Sequence, residues 1–197
     1  DLAPLPEFRK KLAAVMGDQE FVRAACIGEV KLVNLEPCHE DIRRFQKAMS
    51  GKPVSGFMNA ASPGLITAFQ PNQFYPSHEA YLADLVIAMR PQYEAIAATG
   101  FYLQLDCPDL AMSRHTGYQD ASEEDFLKIA EANVEALNAA TANIPPEQMR
   151  MHICWGNYEG PHDHDIPLER VMDIILKARP ATILFEAANP RHEHEWK

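Results

Sequence analysis

Phe101-Tyr102-Leu103-Gln104-Leu105-Asp106, a run of β-forming residues that closes on a carboxylate, lies between two long amphipathic segments. Before it, Ser77 to Thr99 repeats Tyr81, Leu82, Leu85, Val86, Met89 and Ile96 at helical spacing, and Pro91 is expected to bend that helix. After it, Ser122 is placed to cap a helix that reaches Asn143 through Phe126, Leu127, Ile129, Ala130, Val134 and Leu137. Pro145-Pro146 stops this helix. Arg150-Met151-His152-Ile153-Cys154 then reads as the next strand and enters a long loop rich in Gly, Pro, Asn and Asp. Asp165, with Pro167 at the first helical position, opens a further helix through Leu168, Val171, Met172 and Ile175. Ala181-Thr182-Ile183-Leu184-Phe185-Glu186 is the strand after it. Strand alternating with helix is the pattern of β-α units on a parallel sheet.

Working towards the N-terminus, Val54 to Ala61 reads as a strand ending at Ser62-Pro63-Gly64, and His39 to Met49 as a helix. Ala24 to Asn34 reads as a hairpin or an extended arm. Successive β-α units turn right-handed and set parallel strands side by side, so both faces of each strand are expected to be buried. Four strands are legible, whereas a closed barrel needs eight and typically ~250 residues. The expected fold is therefore α/β, of the (β/α)8 TIM-barrel type, holding about half to five-eighths of the barrel. It forms a single domain over 1–197, with the arm and helix in 1–50 and successive β-α units in 51–197.

Composition narrows the partners. With 47% hydrophobic and 23% charged residues the chain has none of the bias of disordered or collagen-like sequences, so it is expected to fold. A formal net charge of −10 without any basic cluster argues against nucleic acid and anionic membrane surfaces, because holding phosphates takes clustered Lys and Arg. The most apolar windows, Tyr81 to Met89 and Val171 to Leu176, are far shorter than the ~20 residues that cross a bilayer. The chain opens on Asp1-Leu2-Ala3-Pro4, without Met or a leader pattern, which suggests an incomplete start. Cys26, Cys38, Cys107 and Cys154 lack CxxC spacing and are expected to be reduced thiols in the cytoplasm.

Asp106, Cys154 and Glu186 each close a strand with a residue that a buried strand otherwise avoids. In parallel α/β folds that C-terminal edge is where loops gather and active sites form. His152 and Cys154 project to one side of their strand and Ile153 to the other. An imidazole and a thiolate so placed can hold zinc at roughly 2.0–2.3 Å, and Glu186 is positioned to add a carboxylate. A His-x-Cys pair is also at home as simple core residues. The acidic neighbour adds weight to the metal reading, because a buried carboxylate without a cation or hydrogen bonds is costly. Cys107 follows Asp106 and is expected to point away from the pocket. His162 and His164 read as flexible surface histidines ahead of a role in completing a metal site by loop folding, and His192-Glu193-His194-Glu195 as the charged, solvent-facing start of a helix ahead of a second metal cluster. Arg191 can meet an anionic substrate group, and Arg114 and His115 can face the same cleft.

Residues 103–111 (Leu-Gln-Leu-Asp-Cys-Pro-Asp-Leu-Ala), Met151-His152-Ile153-Cys154 and Ile183-Leu184-Phe185-Glu186 resemble, in order and spacing, three consecutive strand ends of the cobalamin-independent methionine synthase family. This family belongs to the methionine synthase/uroporphyrinogen decarboxylase-like superfamily of barrels. Ser62-Pro63-Gly64 resembles the turn after the preceding strand, so the likeness runs from about Val54 onward. It is nearest to short single-domain relatives, through Gly156-Asn157-Tyr158-Glu159-Gly160-Pro161-His162 and Asn189-Pro190-Arg191-His192. The resemblance implies that His152, Cys154 and Glu186 bind zinc and that Asp106 holds the amino group of a thiol such as homocysteine. It also implies a methyl donor of the methyltetrahydrofolate type. Asp106 and Glu186 are then the candidate catalytic residues, and Asp106, Ser62, Arg191 and Trp155 the candidate substrate contacts. Trp155 either stacks on a pterin ring or covers the core. A further zinc-binding cysteine and a proton-transferring histidine lie on later strands in that family, beyond Lys197 here, so a partial barrel is expected. Alternatives are thiol alkylation by another electrophile such as an epoxide, or a non-catalytic metal-binding domain that dimerises through open barrel edges.

Overall fold

The structure is a computed structural model that describes residues 5–16, 24–157, 162–188 and 190–196. Leu103 and Leu105 alternate with Tyr102, Gln104 and Asp106, and this two-residue period fixes which side of β2 (Tyr102–Asp106) is packed. The same period holds in β1 (Phe57–Ala61) and β3 (Met149–Ile153), whereas in β4 (Thr182–Phe185) only Ile183 is partly buried. The four strands form one parallel sheet in the order β1-β2-β3-β4. Its register is continuous: Ala61 stands beside Asp106, Asp106 beside His152, and His152 beside Leu184.

Each crossover carries a helix. These are α4 (His78–Ala97) after β1, α6 (Glu123–Ala140) after β2 and α7 (Leu168–Ile175) after β3. α4 packs on α6 and α6 on α7, so neighbouring crossovers lie side by side. Leu103, Leu105, Met151 and Ile153, all essentially inaccessible, meet Tyr93, Ile96, Phe126, Val134 and Val171 in one core. Each such side chain contributes about 1.5–3 kcal/mol by leaving water.

The other face of the sheet is not buried, contrary to the expectation from the strand pattern. Phe57, Tyr102 and Leu184 are 43%, 41% and 36% exposed, and Arg150 lies over the Phe57 ring at 3.7 Å. The physical reason is closure. That face is covered only when a sheet curls until its edge strands meet, and here β1 and β4 remain edges among the described residues.

Hydroxyl caps set the helix starts. Ser77 Oγ accepts from Ala80 N–H, and Ser122 Oγ from Asp125 N–H. α4 runs through Pro91, and Ile87, whose carbonyl that ring leaves without its helical donor, is 70% exposed to water. Pro167 caps α7 rather than occupying its first turn. The helix preceding the sheet, α2 (Glu36–Met49), starts three residues before the expected His39. The helices α1 (Pro6–Met16), α3 (Pro63–Phe69) and α5 (Met112–Thr116) were not legible in the sequence pattern, two of them being short. Ala24 to Asn34 is an extended arm, not a hairpin, joined by a parallel bridge between Cys26 and Asn72. Among the described residues no helix is long and apolar enough to cross a membrane.

Candidate functional site

The strand ends meet a cavity of about 490 Å³ lined by Asp106, His152, Cys154, Glu186 and Arg191, with Met112 among its apolar walls. The sheet register puts these groups there. Asp106 is the last residue of β2 and pairs with His152 of β3, whose Nε2 stands 4.0 Å from Asp106 Oδ1. Ile153 is fully buried between the half-buried His152 and Cys154, so the latter two share the open side. Ile153 pairs with Phe185 and its carbonyl accepts from Glu186 N–H at 3.2 Å, which carries Glu186 one step past β4, level with Cys154. Glu186 Oε1 in turn accepts from Ala188 N–H at 2.6 Å.

Partial burial pushes the Cys154 thiol above the ordinary cysteine range, and the Asp106 and Glu186 carboxylates push it further, against a lowering hydrogen bond from the Gly156 backbone. An imidazole, a thiol and two carboxylates around one cavity are the donor set that a borderline-soft divalent cation such as zinc takes, and a cation would reverse the electrostatic cost to the thiolate. The donor chemistry fits zinc. The groups are not drawn together as they stand: among the described residues no three His, Cys, Asp or Glu side chains form a ready metal cluster.

Two of the candidate substrate contacts lie elsewhere. Trp155 follows Cys154 but turns inward: it is 1% exposed, donates Nε1–H to Ile166 O at 2.7 Å and stacks on His192 with ring centroids 4.0 Å apart. Of the two roles open to it in sequence, it covers the core. Ser62 is 2% exposed and caps α3, accepting from Leu65 N–H while donating to Asp109. Neither lines the cavity. Arg114 is also held away, donating to the Tyr118 and Gln119 carbonyls.

Two buried polar groups were missed in the sequence. Asp109, in the turn after β2, is 2% exposed and accepts from Ser62 Oγ at 2.7 Å and Asn133 Nδ2 at 3.0 Å. Burial raises its carboxyl to about 6 against the pull of those two donors. Asn133 Oδ1 then faces His78 Nε2 at 2.8 Å. The segment Asp106-Cys107-Pro108-Asp109 hinted at this, since a second acid three residues past a strand end returns towards the core.

The second group corrects the surface reading for His162 and His192, whereas His164 and His194 are exposed as expected. His162 Nδ1 and His192 Nε2 both lie 2.8 Å from Asp165 Oδ2, and His192 Nδ1 lies 2.9 Å from Glu195 Oε1. His192 is 5% exposed, and His115 stacks almost parallel on His162. Burial holds His115 below the ordinary histidine range. This array clamps the loop after β3 to the segment after β4, where His192 and Glu195 turn inward and Glu193 and His194 stay exposed. Carboxylates replace water at the imidazoles, with Asp165 Oδ2 facing both rings while its Oδ1 has no hydrogen-bond partner among the described residues.

No family model matches the chain, and comparison with curated proteins finds no significant match.

Proposed function

We propose that the strand-end cavity is the active site of a zinc-dependent methyltransferase that moves a methyl group from a methyltetrahydrofolate-type donor to a thiol, homocysteine in the first instance. The observation that carries this reading is the convergence of Asp106, His152, Cys154 and Glu186, from three adjacent parallel strands, on one cavity. The in-order parallel sheet with a helix in each crossover supports assigning it to part of a (β/α)8 barrel.

His152, Cys154 and Glu186 would hold the zinc. When bound, the ion supplies thiol activation, because a coordinated thiol loses its proton near neutral pH. Asp106 would orient the substrate through a charge-assisted hydrogen bond to its ammonium group, and Arg191 would meet an anionic group of thiol or donor. In the transfer the sulfur–carbon bond forms as the donor nitrogen–carbon bond breaks, and the thiol proton ends on the donor nitrogen. The free state of Cys26, Cys38, Cys107 and Cys154 suits a reducing, cytoplasmic setting.

The test is turnover of the zinc-loaded protein with homocysteine and methyltetrahydrofolate, with each partner also replaced separately, the donor by an epoxide and the acceptor by other thiols. Methionine formation supports the reading. Alkylation only by the epoxide moves the activity to a different thiol alkyltransferase. A second reading, a self-associating metal-binding domain, is favoured by one observation, the exposure of Phe57, Tyr102 and Leu184 on the uncovered face of the sheet. Stoichiometric zinc with no turnover in any combination would select it.

A further inference from the structure

Two residues below Asp106 and His152, the open face of the sheet carries a polar row. Asn59 of β1 pairs with Gln104 of β2, and Gln104 with Arg150 of β3. Neighbouring strands stand about 5 Å apart and a two-residue step covers about 7 Å, so Phe57 and Tyr102 lie one such step further down. Asn59 is exposed and Gln104 and Arg150 are half-buried, so all three reach solvent.

Arg150 leaves its donors unused. Its guanidinium carbon lies 3.7 Å from the centre of the Phe57 ring, and because β2 separates β3 from β1 the side chain crosses above β2 to reach it. Stacking occupies a face of the guanidinium plane and leaves the edge, where the N–H groups point, open. Arg150 Nε is buried without a hydrogen-bond partner, and among the described residues the guanidinium donates to no carbonyl and pairs with no carboxylate. Arg90 and Arg179 differ. Each has a similar Nε, but Arg90 donates to Ala139 O at 2.9 Å and Arg179 to Ile144 O at 3.0 Å. Asn59 and Gln104 likewise make no side-chain hydrogen bond among the described residues, so their carboxamide N–H groups stand free as well. The acids of this face, Asp106 and Glu186, stand higher, at the strand ends, and Asp106 faces His152.

We propose that this row is a binding site for a small oxyanion, a carboxylate or phosphate group, which the open edge of Arg150 holds in bidentate fashion while the carboxamides of Asn59 and Gln104 donate beside it. Phe57 keeps the guanidinium flat on its ring, so the fork is set before the ligand arrives. A second copy laid on this face would bury an unpaired charge, which increases the need for the anion.

The isotope-labelled, zinc-free protein is titrated with inorganic phosphate in one arm and acetate in another, each against chloride at equal ionic strength, and followed by NMR of its N–H groups. The outcome is thus independent of zinc and of methyl transfer. Saturable displacement of the Arg150 Nε–H signal and of the Asn59 and Gln104 side-chain N–H signals is expected, and the tighter arm identifies the source of the oxyanion. Arg150→Met, which keeps an apolar stem over β2, should weaken binding at least tenfold, as loss of a charge-assisted pair does. Arg150→Lys keeps the charge without the fork, so it should bind less tightly than the wild type and more tightly than Arg150→Met. The dispersion of each variant's spectrum reports that it is folded. Displacements no larger than those with chloride, displacements confined to the strand-end cavity around Arg191, or unchanged affinity in Arg150→Met would overturn the proposal.

Discussion

Gly64 has no room for a side chain: a Cβ there would stand 2.0 Å from Asp109 Oδ2 and 2.6 Å from Asn133 Nδ2. The first turn of α3 can therefore pass over the buried Asp109 only as glycine. Gly64→Ala must displace both partners of that carboxyl, adding overpacking to broken buried hydrogen bonds, and is expected to cost about 3 kcal/mol or more in urea denaturation. Asp109 also leaves a pH signature. In the unfolded chain its carboxyl ionises near 3.8, whereas the folded protein keeps the proton to about 6. A raised folded value means stability that is present below the lower of these and lost as pH climbs through the higher. Relative to Asp109→Asn, which does not titrate, the wild type should lose about 2 kcal/mol between about pH 4 and about pH 7, because the folded carboxyl holds its proton roughly a hundredfold more tightly than the unfolded one. A difference that stays flat over that range would contradict the assignment. Neither residue stood out in the sequence, because a glycine after Ser-Pro and an acid after Cys-Pro are ordinary turn chemistry until the two are seen in contact.

Strand pairing does at the element scale what single residues cannot. β3 and β4 are in register from Arg150 and Thr182 to Ile153 and Phe185, which brings Cys154 level with Glu186 and places a carboxylate where it raises the thiol. Glu186→Gln removes one of the charges that hold the thiol protonated. Alkylation of Cys154 by iodoacetamide near neutral pH should therefore quicken several-fold, read by peptide mass spectrometry so that Cys38 is scored separately. An unchanged rate would show that Glu186 does not act on the thiol. The strands and the three crossover helices were legible because period two and period 3.6 are written in apolar residues: Leu103 and Leu105 in one case, Phe126, Ala130, Val134 and Leu137 in the other. α3 and α5 were not, since seven and five residues give too few turns for a period, and Ser62-Pro63 reads equally as a turn or as a cap with proline at the first position. The histidine clamp was hidden for a different reason. His162, Asp165, His192 and Glu195 look polar and surface-bound in sequence, and only tertiary contact shows that they satisfy one another.

At the scale of the whole molecule, the sheet has a packed face and an open one, and the open face carries both the candidate site and exposed Phe57, Tyr102 and Leu184. Apolar surface beside two open strand edges favours association. Sedimentation velocity is expected to show a dimer whose fraction rises with concentration, and Leu184→Lys should shift it to monomer with little loss of stability. A concentration-independent monomer would show that the open face is tolerated in water. The order of β-α units was readable from strand and helix alternation, whereas the exposure of one sheet face was not, because the same strand residues serve a covered face or an open one. The proposed site gathers Asp106, His152, Cys154 and Glu186 at the strand ends, and zinc binding there is the central claim. Zinc titration with a competing chromophoric chelator, on the wild type and on Cys154→Ala, measures that directly. One zinc per chain in the wild type, with affinity lowered at least a hundredfold in the variant, is the predicted result; no zinc binding, or equal binding by both proteins, would contradict it.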